Sequence, residues 1–199
     1  MSNSKECKTT CMEAEAVDRL RQYELGFELE SLQHQLDHII SVVNELVAKL
    51  LAQRNTCARE LTQFLLRQKQ LIEAMQFSKS LRSPSPPPPS LKFNLLCNKL
   101  KELEAEAAIF EEKIKQGEER RRNNHSGIKK LTGQEIEKMS VEDREEAVRA
   151  LNASILTVSD IQSYFVGIQV DWYITQNKLT IELYDCIRGV ETLMENHPY

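Results

Sequence analysis

Residues 29–50 read LESLQHQLDHIISVVNELVAKL. Steps of three and four pick out Leu29, Leu32, Leu36, Ile39, Val43, Leu46 and Leu50, apolar at seven consecutive a and d positions of a heptad, the pattern of a coiled-coil seam. Such a helix does not stay alone in water. Glu45 and Lys49 supply ordinary flanking charge, and no Asn at an a or d position in this stretch fixes a self-paired register. A heterologous partner helix is therefore expected at least as much as self-association.

Outward from the seam, residues 13–81 contain no Pro and one Gly, Gly26, so one helix can run roughly 105 Å at about 1.5 Å per residue. Continuing the register gives Gln53, Cys57, Glu60, Phe64, Arg67, Leu71 and Ala74. Three polar positions place the end of the strict seam near Leu50. Beyond it, Cys57, Leu61, Phe64, Leu65, Leu71, Ile72 and Met75 form a wider stripe suited to packing against several helices.

Five of the six prolines lie between Pro84 and Pro89. They end the first helix and favour a stiff polyproline II connector, which lets a second helix fold back antiparallel. That helix is expected over 91–122, with Phe93, Leu96, Leu100, Leu103, Ala107, Phe110 and Ile114 on its seam. Residues 123–139 mix charge, Asn and Gly as a hinge, and Thr132-Gly-Gln-Glu135 and Ser140-Val-Glu-Asp143 fit capping boxes. Residues 1–12 are expected to be a disordered N-terminus, 13–82 the long coiled-coil helix, 83–90 the proline-rich turn and 140–199 a C-terminal interaction module.

In that module Ile168, Val170, Trp172 and Ile174, then Leu179, Ile181 and Leu183, alternate with polar residues around Gln176-Asn177, which predicts a β-hairpin. Ile161, Phe165, Ile168, Trp172, Thr175 and Leu179 also keep helical spacing, so continued helix stands beside it. The fold class is mainly α: long coiled-coil helices folded back at a proline-rich turn, with a small C-terminal helical or α+β module.

Composition narrows the function. Net charge is −4, from 26 basic and 30 acidic residues, so no global field favours nucleic acid. The Arg120, Arg121 and Arg122 run adjoins Glu118 and Glu119 without interleaved aromatics and reads as a solvated helix end. Cysteines at 7, 11, 57, 97 and 186 give no secreted disulfide framework, which places the chain in the nucleus or cytoplasm. Neither a signal peptide nor a membrane span is visible in the sequence. His34 and His38 fall at outward f and c positions, and Cys7 and Cys11 lack a second ligand pair, so no metal is expected. The isolated glycines form no phosphate loop, and no nucleophile elbow or walled carboxylate pair is present, so neither an enzyme, a cofactor nor a small-molecule substrate is expected. Ser83 and Ser85 precede prolines and are possible phosphorylation sites.

Ser159-Asp-Ile-Gln-Ser-Tyr-Phe165, Ile168-Gln-Val-Asp-Trp-Tyr173 and Lys178-Leu-Thr-Ile-Glu-Leu183, following long heptads, resemble the helix, strand and hairpin of small coiled-coil kinetochore subunits with an RWD-like C-terminal module. The resemblance implies a mitotic scaffold role. The expectation is a non-enzymatic coiled-coil scaffold subunit of a hetero-oligomer, with Leu29 to Leu50 and Phe93, Leu96, Leu100, Leu103, Phe110 and Ile114 at the coiled-coil interface and Tyr164, Phe165, Trp172 and Tyr173 binding another protein. The alternative is a self-contained helical-bundle adaptor switched through the Ser-Pro linker.

Overall fold

The structure, a computed structural model, describes residues 3–80, 91–125 and 130–196, with side chains over 15–77, 91–124 and 130–195. Four helices follow in order: α1 Asn3–Ser80, α2 Leu91–His125, α3 Gly133–Lys138 and α4 Val141–Asn196. The chain is mainly α, with no strand among the described residues. The proline block and Ser83 and Ser85 lie outside the described residues. α1 begins ahead of the residue-13 start read from the sequence, and α2 runs three residues past Arg122.

The helices build two compact units, one from Met1–Leu46 with Glu118–Tyr164 and the other from Val47–Gly117 with Phe165–Tyr199. In the first, Leu25, Leu29, Leu36 and Val43 of α1 are buried, as are Ile136 of α3 and Leu151, Ile155, Val158 and Ile161 of α4. Both capping boxes form: Thr132 accepts from the Glu135 N–H while Glu135 accepts from Thr132, and Ser140 and Asp143 exchange the same pair of bonds. Each capping box satisfies N–H groups that a helix start leaves without partners.

Arg144 is the device that ties α3 to α1. It is only 7% exposed, a burial that a guanidinium tolerates only when its donors are satisfied. Its Nε donates to the Met139 carbonyl and one terminal nitrogen to the Glu137 carbonyl, both at 3.3 Å, and the other terminal nitrogen donates to the Gln22 carbonyl of α1. The first two carbonyls belong to the end of α3, where acceptors lack intrahelical partners and positive charge meets the helix dipole. Gly26 makes the approach possible: a Cβ there would stand 3.1 Å from the Arg144 terminal nitrogen and 3.8 Å from Ile136. Gln33, buried on α1, accepts the Leu131 N–H at 2.7 Å and holds the chain entering α3.

In the second unit α1, α2 and α4 enclose one core. Leu50, Cys57, Phe64 and Leu71 meet Leu96, Leu100, Leu103, Phe110 and Ile114, together with Phe165, Ile168, Trp172, Leu179, Leu183 and Val190. Glu60 pairs with Gln176, Phe64 with Tyr184 and Arg67 with Glu191, so α4 runs parallel to α1. Lys99 pairs with Glu182 and Lys113 with Asp171, so α2 runs antiparallel to α4 and hence to α1.

Two expectations are corrected. The seam does not stop near Leu50: Leu29, Leu36, Val43, Leu50, Cys57, Phe64 and Leu71, every seventh residue, are all 5% exposed or less. The polar d residues Glu60 and Arg67 do not break it, because each bonds to α4. Nor is there a hairpin over 168–183, since α4 is helical throughout. Of the alternating apolar residues, Ile168, Trp172, Leu179 and Leu183 face the core while Val170, Ile174 and Ile181 are 52–63% exposed. A helix with two apolar faces counterfeits the period of a strand.

Gly26→Val should lower stability by about 2 kcal/mol in urea unfolding, by overpacking against Arg144 and Ile136. Gly167→Ala, in the same type of helical backbone with nothing within 4 Å of a new Cβ, should instead raise it by about 0.5–1 kcal/mol.

Candidate interaction surfaces

The residues expected at an intermolecular coiled-coil interface are largely consumed by the chain itself. Leu29, Leu36, Val43 and Leu50 are buried, and Leu32, Ile39 and Leu46 are half-buried. On α2, Leu96, Leu100, Leu103, Phe110 and Ile114 are buried and Phe93 half-buried. The sequence shows that this stripe must be covered; it does not show that the chain's own α4 covers it.

The four aromatic residues expected to contact a partner divide sharply. Phe165 and Trp172 are 0% and 3% exposed, and the Trp172 ring stacks on Phe110 at 4.3 Å with an interplanar angle of 9°. Tyr164 is half-buried beneath the Arg120 guanidinium, 4.7 Å from its ring centroid, a cation–π contact. Only Tyr173, 61% exposed, is open to another molecule. Phe165 and Trp172 sit on the core face of α4, so reaching them would mean opening the unit.

Two outer faces carry apolar surface of which the sequence singles out Tyr173 alone. On α1, Val17, Leu20, Tyr23 and Phe27 are 59–76% exposed, and at about 100° per residue they lie across the helix from buried Leu25 and Leu29. On α4, Val166, Val170, Tyr173, Ile181 and Tyr184 are 41–63% exposed and, with exposed Asn177 between Tyr173 and Ile181, follow three- and four-residue steps of their own. The signal was present as a second helical period offset from the first. On α4 it imitates strand alternation over 168–183, because the two periods interleave.

Charge is distributed as structural pairing. Arg21 meets Glu145 at 3.1 Å and Lys130 meets Asp37, both in the first unit. In the second, Lys99 lies 2.7 Å from both Glu102 and Glu182. Its hydrogen bonds to the two carboxylates hold its ammonium well above the usual lysine range, and the same ammonium holds the Glu182 carboxyl below its ordinary value. Arg121, from the triple-arginine run, bonds Asn44 and lies 4.0 Å from Glu118.

No group of three or more potential metal ligands occurs among the described residues, and the side chains of Cys7 and Cys11 lie outside them. His34 and His38 are exposed. Cys57, Cys97 and Cys186 are free thiols. Burial, and then the negative charge of Glu60, push the Cys57 thiol up to about 11 from an ordinary 9.0, and burial raises Cys186 as well. A cavity of about 50 Å³ beside Phe110 and Trp172 is the size of a few water molecules. A more open groove of about 350 Å³ runs along Lys92, Leu95, Lys99, Cys186 and Gly189, and of its two carboxylates, Glu182 and Asp185, Glu182 is engaged by Lys99. Among the described residues no helix is long and apolar enough to cross a membrane.

No family model, curated protein or solved structure matches the chain.

Because the native state keeps the Cys57 proton between pH 9.0 and about 11 while the unfolded chain loses it, the native state binds more protons there and stability must fall across that window. Below pH 9.0 the contribution is fully present. Chemical denaturation of the protein and of Cys57→Ala from pH 8 upward should show a shallower decline for the variant over that window, and alkylation at pH 8 should label Cys57 more slowly than half-buried Cys97.

Proposed function

We propose that the chain is a non-enzymatic scaffold subunit of a hetero-oligomeric assembly of helical, coiled-coil proteins. The observation that carries this reading is the outer face of α1, where Val17, Leu20, Tyr23 and Phe27 are 59–76% exposed on a helix whose opposite face already serves the core. Scattered apolar residues on a surface need no explanation, but a row of four at helical spacing with two aromatics is the kind of stripe that helix-in-groove recognition uses, and aromatic residues dominate interface energies. The partner that fits is an amphipathic helix or helix pair offering an apolar groove. Long coiled-coil helices folded back at the proline-rich turn belong to this proposal, as does a reducing setting in nucleus or cytoplasm, in keeping with three free thiols. A chromosome-segregation complex is the proposed context, on the likeness of layout to coiled-coil kinetochore subunits. Ile168–Tyr173 and Lys178–Leu183, compared there to strands, are helical in this chain, so the likeness is one of long heptads leading to a C-terminal segment.

The second reading, a self-contained bundle acting as an adaptor and switched by phosphorylation at Ser83 and Ser85, is favoured by the burial of the 29–50 seam within the chain. The two readings share a body and differ in whether partners are constitutive.

Affinity purification of the tagged protein from cells, with mass spectrometry, tests the first. Tyr23→Asp with Phe27→Asp should lose the helical partners while keeping wild-type helicity by circular dichroism; recovery of the same partners with the double variant would remove the basis of the proposal. Leu36→Asp with Val43→Asp, both 2% exposed in the wild type, should instead collapse the fold of the purified chain, each buried unpaired carboxylate costing at least about 3 kcal/mol.

A further inference from the structure

The outer row of α4 has a property that the outer row of α1 lacks. Val166, Val170, Tyr173, Asn177, Ile181, Tyr184 and Arg188 follow one another at steps of four, three, four, four, three and four, so the spacing reads identically in both directions about Asn177. The five apolar members are 41–63% exposed and Asn177 is exposed at the centre. The whole row lies in one compact unit, on the side of α4 turned away from Phe165, Trp172, Leu179 and Leu183.

We propose that this row pairs with the same row of a second copy of the chain, antiparallel, with Asn177 on the two-fold axis. The surface is separate from the α1 face assigned above to a heterologous partner, and the assembly would then contain two copies of this chain. A two-fold contact must be self-complementary, residue by residue, and reversal about Asn177 meets that condition in every layer. Tyr173 comes opposite Ile181 and Val170 opposite Tyr184, so each apolar layer joins a larger to a smaller side chain and the layers have even thickness. Asn177 meets its own copy, and an amide carries both donors and an acceptor, so the pair can satisfy itself. A register that set that amide against Val170, Tyr173, Ile181 or Tyr184 would bury it unpaired; a single Asn in an apolar row is a known way of fixing register. At the ends Val166 lies under the aliphatic stem of Arg188. A parallel pair would stack Tyr173 on Tyr173 and Val170 on Val170, alternating thick and thin layers along the contact. A helix from an unrelated protein would require no symmetry in this row at all. Tyr184 is already braced, its ring packing edge-on against Phe64 at 5.2 Å, which lowers the entropy lost on docking.

Light scattering on the full chain at micromolar concentrations should give twice the 23.0 kDa monomer mass. Val170→Glu with Ile181→Glu, both on the exposed face, should return it to the monomer with unchanged helicity. Asn177→Cys should form an intermolecular disulfide under mild oxidation, and a mixture of Val170→Cys and Tyr184→Cys chains should cross-link 170 to 184. A monomeric wild type, a dimer that survives the double variant, or cross-linking of 170 to 170 would each overturn the proposal. If the double glutamate variant does not fold, the Asn177→Cys and mixed-cysteine cross-links decide alone. A wild-type chain that is monomeric yet recovers helical partners from cells refutes the self-pairing and leaves the scaffold reading standing, whereas a wild-type dimer that recovers none does the reverse.

Discussion

A row of buried residues at every seventh position of α1, from Leu29 to Leu71, is the constraint from which the rest of the architecture follows. Helix propensity alone does not hold so long a helix together in water; tertiary burial of one face does. Each member of the row must be covered, and the chain covers it with its own α4, in the second unit joined by α2. Once the row is closed internally, the d positions are free to vary. Leu32, Ile39 and Leu46 stay apolar and half-buried, while Glu60 and Arg67 turn the same edge into polar links to Gln176 and Glu191. Those links give the parallel pairing of α1 and α4 a definite register, which undirected apolar contact would leave loose.

The first unit solves a different problem. A six-residue helix, α3, has almost no core of its own beyond Ile136, and its last carbonyls would be stranded if nothing met them. Arg144 meets them and reaches the α1 backbone at Gln22. Its charge is tolerable in a buried place because carbonyl oxygens surround it. Gly26, the one glycine in the long helix, is there because the guanidinium needs the space a side chain would fill. A residue that weakens helix propensity is thus retained for a contact distant in sequence.

Much of the secondary structure was legible in the sequence. The absence of breakers over 13–81, the seams, the proline block and the two capping boxes give the helices nearly in place, because capping and periodicity are local properties. The C-terminal segment suggests a hairpin as well as a helix for an equally local reason: in α4 the core period and an outer period interleave, and two superposed helical rows of similar hydrophobicity reproduce a period of two over 168–174 and 179–183. Only the long uninterrupted helix, with Ile168 and Trp172 inward and Val170 and Ile174 outward, separates them. The interaction surfaces suffered most from this. Trp172 and Phe165 looked like anchors because they are large and aromatic, and they are anchors, of the core.

By itself the sequence determined that this chain is mainly helical, with long helices on either side of the proline block, and that an apolar row on α1 must be covered by other helices, since those conclusions rest on backbone sterics and on the free energy of exposing apolar side chains; it left 168–183 open between helix and hairpin. Which helices do the covering was decided only by tertiary structure. A heptad row states what a surface requires without stating whose surface meets it, so the same residues that predict a partner are satisfied here from within. The faces left over on α1 and α4 are defined as outer faces only once that choice has been made.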